Sequence, residues 1–577
     1  MKSPKEPRRI DSAGHSLHMR RLLRSAPTRS QSAPDAAPPL FAALANPACY
    51  PHPVAGVRVL ETHISWVLLT GEYAYKIKKP VNLGFLDFST LGLRRHYCEE
   101  ELRLNRRLAP ELYLGLVEIR GTPQAPRVGG DGPVLEYAVR MREFPQASLA
   151  SRVLARGAFD APEVDALAGV IAEFHARAPL ARAHESFGTP EAVLSAALQN
   201  FDQMLPLAKD APDDRALRAL RRWTEREFAS RRGAFATRKQ LGFVRECHGD
   251  LHLGNIVVLD GRPVPFDCIE FNDSLRWIDV MNEAAFLAMD LEDRGRGDLR
   301  WRFLNRYLEA TGDYAGLAVL PFYLVYRALV RAKVHLLRSR QPGLRRTEKA
   351  RLARAFQDYL RLAGRLAAPQ RVALILAHGL SGSGKTTLTQ PLVEALGAVR
   401  MRSDLERKRL HGLAPLSSSG SGVAGGIYTV EATAALYRRL GELAQDALRA
   451  GFSVVVDAAF LGRPERDAFR AIAEGLDAPF LILDFHAPQE VLHARVAERL
   501  ARADDASEAG FAVLERQLAT REPLTPAEMA AAYAVDATGP VSREMWRPLV
   551  ERLRRSAGGK APVPRARAAH PDHGKIA

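Results

Sequence analysis

The string Gly379-Leu380-Ser381-Gly382-Ser383-Gly384-Lys385-Thr386 constrains the fold of this chain more than any other. It satisfies GxxxxGK[ST] at every fixed position. An apolar run, Val372–Ala377, precedes it, and a helical pattern, Thr387–Leu396, follows. Glycines let successive backbone N–H groups turn inward around an anion, and the helix that starts there points its positive end at the same place. In this reading Gly379, Ser381, Gly382, Ser383, Gly384 and Thr387 surround nucleotide phosphates. Lys385 reaches the β- and γ-phosphates, and the Thr386 hydroxyl is a ligand of Mg²⁺. Such a loop follows a strand of a parallel sheet, and Ser453–Val456 and Phe480–Phe485 supply further strand-like runs, each leading into a helical pattern. The alternation predicts βαβ units from about 371 to 540.

Six more residues fall where ligands bind in such sheets, at the carboxyl ends of strands or on the helices that follow. Asp404 and Arg407, in Arg402-Ser403-Asp404-Leu405-Glu406-Arg407, share one face of a helix that starts there. A carboxylate so placed takes the proton of an acceptor hydroxyl while the arginine clamps a phosphate. Asp457 ends the strand Val454–Val456 and suits Mg²⁺ and water, in the manner of a Walker B acid. Arg495, Arg499 and Arg502 repeat at i, i+4 and i+7, a cationic face that can close over a triphosphate. These features together resemble the small P-loop kinases, especially the polynucleotide kinase, gluconate kinase and zeta toxin group. The resemblance implies that Asp404 acts on the acceptor hydroxyl and that Arg407 assists.

The first half of the chain has another texture. Strand-like runs come early (Trp66–Leu69, Tyr73–Lys78, Val134–Arg142) and helical patterns dominate later, an α+β order. Its most informative string is His248-Gly249-Asp250-Leu251-His252-Leu253-Gly254-Asn255. Then come Ile256–Leu259, an Asp260-Gly261 turn and Val264-Pro265-Phe266-Asp267. An Asp-Gly pair between apolar runs predicts a hairpin, which brings Asn255 and Asp267 side by side at its open end, next to Asp250. Asn255 and Asp267 then hold Mg²⁺ on ATP phosphates, and Asp250 receives the hydroxyl proton. His248 and His252 are four apart, but the flanking glycines argue for a loop rather than a zinc-binding helix. HGDxxxxN with a downstream acid resembles the aminoglycoside phosphotransferase group, with choline kinases as relatives. The resemblance implies a phosphate-binding lysine at Lys76 in Tyr73-Ala74-Tyr75-Lys76, with Lys78 on the same face. A glutamate from Glu99-Glu100-Glu101 pairs with it, and spacing favours Glu100. Val134–Arg142 leads into the adenine hinge. The usual glycine-rich loop is replaced by Thr62-His63-Ile64-Ser65, and the usual DFG by Asp267-Cys268-Ile269.

The expected fold is therefore two domains: an α+β protein-kinase-like domain over 38–367, then an α/β P-loop domain with a mainly parallel sheet over 368–545. Residues 1–37 and 546–577 are expected to be a disordered basic arm and a mostly disordered basic tail. The joint lies in the charged stretch Thr347–Ala367 and the Ala368-Pro369-Gln370 that follows, and each half is expected to fold and bind Mg·ATP separately. Lys+Arg 82 against Asp+Glu 66 gives 82 − 66 = +16, which favours anionic partners. Much of the excess is arginine in the arms, and there is no basic–aromatic interleaving of the kind that stacks bases. A nucleic-acid partner is thus possible but not favoured over a hydroxyl-bearing small molecule. Four scattered cysteines exclude a disulfide framework, and no apolar run approaches the roughly 18 residues of a membrane span. A cytoplasmic, ATP- and Mg²⁺-dependent bifunctional kinase is the reading. The alternatives are a regulatory kinase-like sensor, or a 5′-hydroxyl polynucleotide kinase in the second half.

Overall fold

A computed structural model describes residues 39–84, 86–208, 212–422, 425–502 and 505–555. The expectations for 1–37 and for 556–577 lie outside these. The first lobe is built on β1 (Arg58–Glu61), β2 (Ser65–Leu69), β3 (Tyr73–Lys78), β4 (Tyr113–Thr122), β5 (Ala125–Val128) and β6 (Val134–Arg142). They form one antiparallel sheet in the order β1-β2-β3-β6-β4-β5. Thr70-Gly71-Glu72 turns β2 into β3, with Leu69 opposite Ala74, and Gly71 supplies the positive φ of 97° that this turn requires. Helix α1 (Leu91–Asn105) crosses this sheet; its first turn is capped by Thr90, whose hydroxyl accepts the Leu93 N–H.

The second lobe is mostly helical, as the later sequence pattern predicts. It carries β7 (Val244–Glu246), paired with β10 (Trp277–Asp279), and the hairpin β8 (Ile256–Leu259) and β9 (Arg262–Pro265). Leu259 faces Arg262 across a two-residue loop, and Asp260 and Gly261 both have positive φ, 48° and 75°. That is the tight primed turn whose twist matches the strands it joins. Helices over Ala150–Ala155 and Ala161–Arg177 pack on this hairpin, and the lobe continues through α2 (Val280–Asp293), α3 (Gly297–Thr311), α4 (Leu320–Ser339) and α5 (Arg346–Ala367).

The last domain has β11 (Leu374–His378), β12 (Ala398–Arg402), β13 (Ser453–Asp457), β14 (Phe480–His486) and β15 (Ala532–Asp536), all parallel, in the order β12-β13-β11-β14-β15. The order reverses at β11, so the loop that leaves it opens at the switch point of the sheet. Helices α6 (Lys385–Leu396), α7 (Ser403–Leu410), α8 (Val430–Arg449) and α9 (Gln489–Arg502) surround the sheet. One expectation is corrected here. Residues 547–555, assigned to the disordered tail, form helix α10 (Arg547–Arg555). Trp546, Leu549 and Val550, one face at i, i+3 and i+4, are buried against β14 and α6, and the Trp546 indole N–H donates to Leu388 O at 2.8 Å. A large aromatic with an indole partner outweighs the charged residues around it.

The two halves share an interior. One apolar cluster runs from α2 and α3 through Tyr314 and Leu317 to Val399, Met401, Leu440 and Val454. Polar groups cross as well: Arg302 pairs with Glu394 at 3.0 Å, and Arg543 bridges Asp298 and Glu394, each at 2.9 Å. Separate folding of the halves therefore meets a buried boundary. Among the described residues no helix is long and apolar enough to cross a membrane.

Candidate active sites

In the second half the site follows directly from the end of β11. Gly379, Gly382 and Gly384 all have φ between +77° and +152°. A Cβ on Gly382 would lie 2.7 Å from Leu492 O, so the loop is drawn too tightly for any other residue. The Ser383 hydroxyl is buried with no partner. The Ser381 N–H donates to Gln517 Oε1 at 2.8 Å, and Lys385 Nζ donates to the carbonyls of Gly379 and Leu380 at 2.8 and 2.9 Å. Donors converge on the loop, and an orphaned hydroxyl lies among them, which suits a polyphosphate. Burial pushes the Lys385 ammonium below its ordinary range, with Asp457 and Asp404 opposing. Thr386 Oγ1 donates to Asp457 Oδ2 at 2.6 Å. A hydroxyl and a carboxylate side by side are the hard oxygen donors that Mg²⁺ takes.

The structure gathers the rest of the expected set around the same cleft, of about 740 Å³: Asp404, Arg407, Asp457, Arg495 and Arg499, with Thr387 beside the loop. Arg407 is oriented by Ile427 O at 2.8 Å and Thr433 Oγ1 at 3.2 Å, and its guanidinium lies 4.8 Å from the centre of the Tyr428 ring. Arg495 donates to Ala537 O at 2.7 Å and Arg499 to Ala509 O at 2.5 Å. Tyr428, Thr433 and Gln517 were not singled out in the sequence; they come from segments whose local pattern carries no signal.

In the first half, β3, α1 and the β8–β9 hairpin converge. Lys76 Nζ lies 2.6 Å from Asp267 Oδ1 and 2.7 Å from Glu101 Oε1. Burial alone would lower the Lys76 pKa, but Asp267 and Glu101 hold it well above its ordinary value. Lys78 is bound to Glu101 at 2.8 Å and to Glu270, so of the two lysines Lys76 is the one that meets Asp267. The glutamate expectation is corrected: Glu101 meets the lysines, and Glu100 instead pairs with Arg103 at 2.8 Å. One residue along a helix turns the side chain by about 100°. That rotation separates the fully buried Glu101 from Glu100 on the flank.

Asn255 Nδ2 donates to Asp250 Oδ2 at 2.8 Å, and Phe266 N–H to Asn255 O at 2.9 Å, so the hairpin brings Asp250, Asn255 and Asp267 together. Asp267 sits at φ 70°, a strained conformation for a residue with a Cβ, and its N–H donates to the Tyr113 hydroxyl. Burial would raise the Asp250 pKa, but His252, Arg331 and His248 bring it down to about 2. Such a carboxylate is charged at neutral pH and orients a hydroxyl rather than deprotonating it beforehand. His248 is a prop, as expected: its Nε2–H donates to Phe266 O at 2.9 Å and its Nδ1 accepts the Asp250 N–H. A slot beside Lys76, where the sequence places the adenine hinge, is lined by Ala74, Lys76, Met141, Phe144 and Phe266 and holds only about 30 Å³, room for one or two waters.

Beneath this loop Glu283 Oε1 accepts the Gly249 N–H at 2.7 Å and Oε2 the His248 N–H at 3.1 Å. His175 joins Glu283 at 2.8 Å and the Tyr307 hydroxyl at 2.8 Å. His175, Cys247 and Glu283 are close enough to hold a metal. Both imidazole nitrogens are already hydrogen-bonded, however, so the cluster is a positioning network. Nothing local in the sequence marks Glu283.

Residues 374–524 match the family described as an AAA domain, and the structure shows that a five-stranded parallel sheet carrying the P-loop is joined to a region built on a six-stranded antiparallel sheet and a mostly helical lobe. Over 500 residues the chain is 31% identical to the uncharacterized protein Rv2004c of Mycobacterium tuberculosis H37Rv, which covers 86% of this chain and 96% of that protein. A Mycobacterium bovis protein matches to the same extent. The chain belongs to the family of these mycobacterial proteins. Among solved structures, a gluconokinase from Sinorhizobium meliloti is 25% identical over 33% of this chain and 95% of its own, with a TM-score of 0.24. An amicoumacin kinase in complex with AMP-PNP and Ca²⁺ is 17% identical over 53% and 88%, with a TM-score of 0.33.

Proposed function

We propose that the protein is an ATP- and Mg²⁺-dependent phosphotransferase whose C-terminal cleft transfers the γ-phosphoryl group of ATP to a hydroxyl of a small-molecule acceptor. One observation carries this reading. A phosphate-cradling loop, an oxygen pair for a divalent ion (Thr386 and Asp457) and a separate acid–arginine pair (Asp404 and Arg407) converge on a single cleft large enough for nucleotide and acceptor together. ATP supplies the phosphoryl group, and Mg²⁺ neutralises its oxygens. Lys385, Arg495 and Arg499 stabilise the triphosphate, Asp404 receives the acceptor proton, and Arg407 orients the acceptor.

The kinase-like half, taken as 38–367, is read as a second phosphotransfer site. Asp250 orients a hydroxyl, Asn255 and Asp267 offer oxygen to Mg²⁺, and Lys76 reaches the phosphates once nucleotide opens the adenine slot. The buried, unpaired cysteines fit a reducing cytoplasmic compartment. The test uses the full chain with γ-labelled ATP and a metabolite extract, comparing Lys385→Ala, Asp250→Ala and the double variant. Labelled small-molecule product that disappears with Lys385→Ala supports the C-terminal reading, and product that disappears with Asp250→Ala supports the second site. ATP binding without any labelled product would favour a regulatory sensor.

A further inference from the structure

We infer that Glu309, from the kinase-like half, is a positioning residue of the P-loop site, setting the Mg²⁺ response of the Thr386–Asp457 pair through Arg400. The inference rests on the reading of that cleft as a Mg·ATP site. Strand β12 is the edge of the parallel sheet, and an edge strand needs its outer backbone groups covered. The cover comes from α3: Asn305 Nδ2 donates to Ala398 O at 2.9 Å, and its Oδ1 accepts the Arg400 N–H at 2.6 Å. Tyr314 adds a hydroxyl donor to Arg400 O at 3.3 Å.

The side chain of Arg400 is the more telling contact. It is 1% exposed, and its Nε and Nη2 both donate to Glu309 Oε1, at 2.9 and 2.7 Å, while Nη1 donates to Thr386 O at 3.0 Å. Thr386 is the residue whose hydroxyl donates to Asp457. One buried guanidinium thus ties a carboxylate of the first half to the backbone of the residue assigned to the metal in the second. Glu309 is also anchored from helix α7, because Arg409 Nη2 donates to Glu309 O at 2.7 Å.

A buried guanidinium cannot lose its proton, so without the Glu309 charge it must find another anion. Asp457 accepts from the hydroxyl of the same Thr386 whose carbonyl Arg400 holds, and a cation drawn toward it would compete with Mg²⁺. Arg402 is an additional cation on the same strand, directly opposite Asp457 in the β12–β13 register, and it already pairs with Asp505 at 3.1 Å. The charge of Glu309 keeps this arginine pair from crowding the metal position.

The test is a Mg²⁺ titration of nucleotide affinity in the full chain. Glu309→Gln keeps the shape and removes the charge; it should raise the Mg²⁺ concentration for half-maximal ATP affinity about tenfold, while affinity measured without Mg²⁺ changes less than threefold. Combining Glu309→Gln with Arg400→Met removes the displaced cation and should bring the Mg²⁺ response back to within about threefold of wild type. A purely structural interface would instead weaken binding with and without Mg²⁺ alike, and the double variant would not recover. If Glu309→Gln does not fold, Glu309→Asp, with a shorter reach, replaces it: a shift of threefold or more supports the inference, and a titration superimposed on wild type overturns it. Lys385-dependent Mg·ATP binding in the wild-type chain is the control. Its absence would refute the reading of the cleft itself, whereas its presence with an unaltered Glu309→Gln titration would refute only the role of Glu309.

Discussion

Replacing Glu283 by glutamine should loosen the loop His248–Asn255 of the first half. The carboxylate accepts both the His248 and the Gly249 N–H, and both it and His248 are fully buried. Burial would raise its pKa, but His175 and His248 bring it from 4.5 down to about 2. That difference corresponds to about 3 kcal/mol in favour of the folded, charged form at neutral pH. An independent route agrees. Glutamine offers one acceptor oxygen, so one buried N–H loses its partner at about 1–3 kcal/mol, and the other loses a charged partner. A folded-state pKa below the unfolded value means that the contribution is complete above pH 4.5 and is lost as the pH falls toward 2. The gap between wild type and Glu283→Gln should therefore be widest near neutrality and close in acid. Hydrogen exchange of a peptide spanning 244–256 reads the local effect, and about 3 kcal/mol is roughly a hundredfold faster exchange. Urea midpoints at pH 7 and pH 3 read the pH dependence. Exchange within threefold of wild type at pH 7, with an unchanged urea midpoint, would refute the assignment of Glu283 as the anchor of this loop.

Glu101→Ala leaves two buried lysines without a shared counter-ion and should cost about 3–5 kcal/mol in urea unfolding. Glu100→Ala, whose partner Arg103 is 46% exposed, should cost under about 1 kcal/mol. Equal losses would mean that Glu101 does not anchor the lysines. Asp404→Asn should lower phosphate transfer by about 10²–10⁴ while ATP affinity stays within about threefold. A parallel loss of ATP affinity would make Asp404 a nucleotide or metal group instead of the acceptor-side acid.

What the sequence determined by itself is local and glycine-marked. The loop 379–386 carries its conformation in its own residues, because positive φ at Gly379, Gly382 and Gly384 is available to glycine at little cost. The β8–β9 hairpin is equally self-specified: Asp260-Gly261 fixes a two-residue turn, the turn fixes the register, and the register sets Asn255 beside the Phe266–Asp267 segment. Other outcomes depend on which distant segment arrives opposite a side chain. Spacing along α1 favours Glu100, but the rotation of that helix against β3 is what decides, and it brings Glu101 to Lys76. Trp546 and Leu549 sit in a charged sequence and become core because β14 and α6 offer them an apolar face. Arg400 looks like any strand-end cation. It joins the two halves of the chain because α3, about ninety residues earlier, brings Glu309 to it in a space from which water is excluded. Charge pairing at long range leaves no spacing rule in a sequence, since the partners are chosen by the packing of helices and sheets rather than by their separation along the chain.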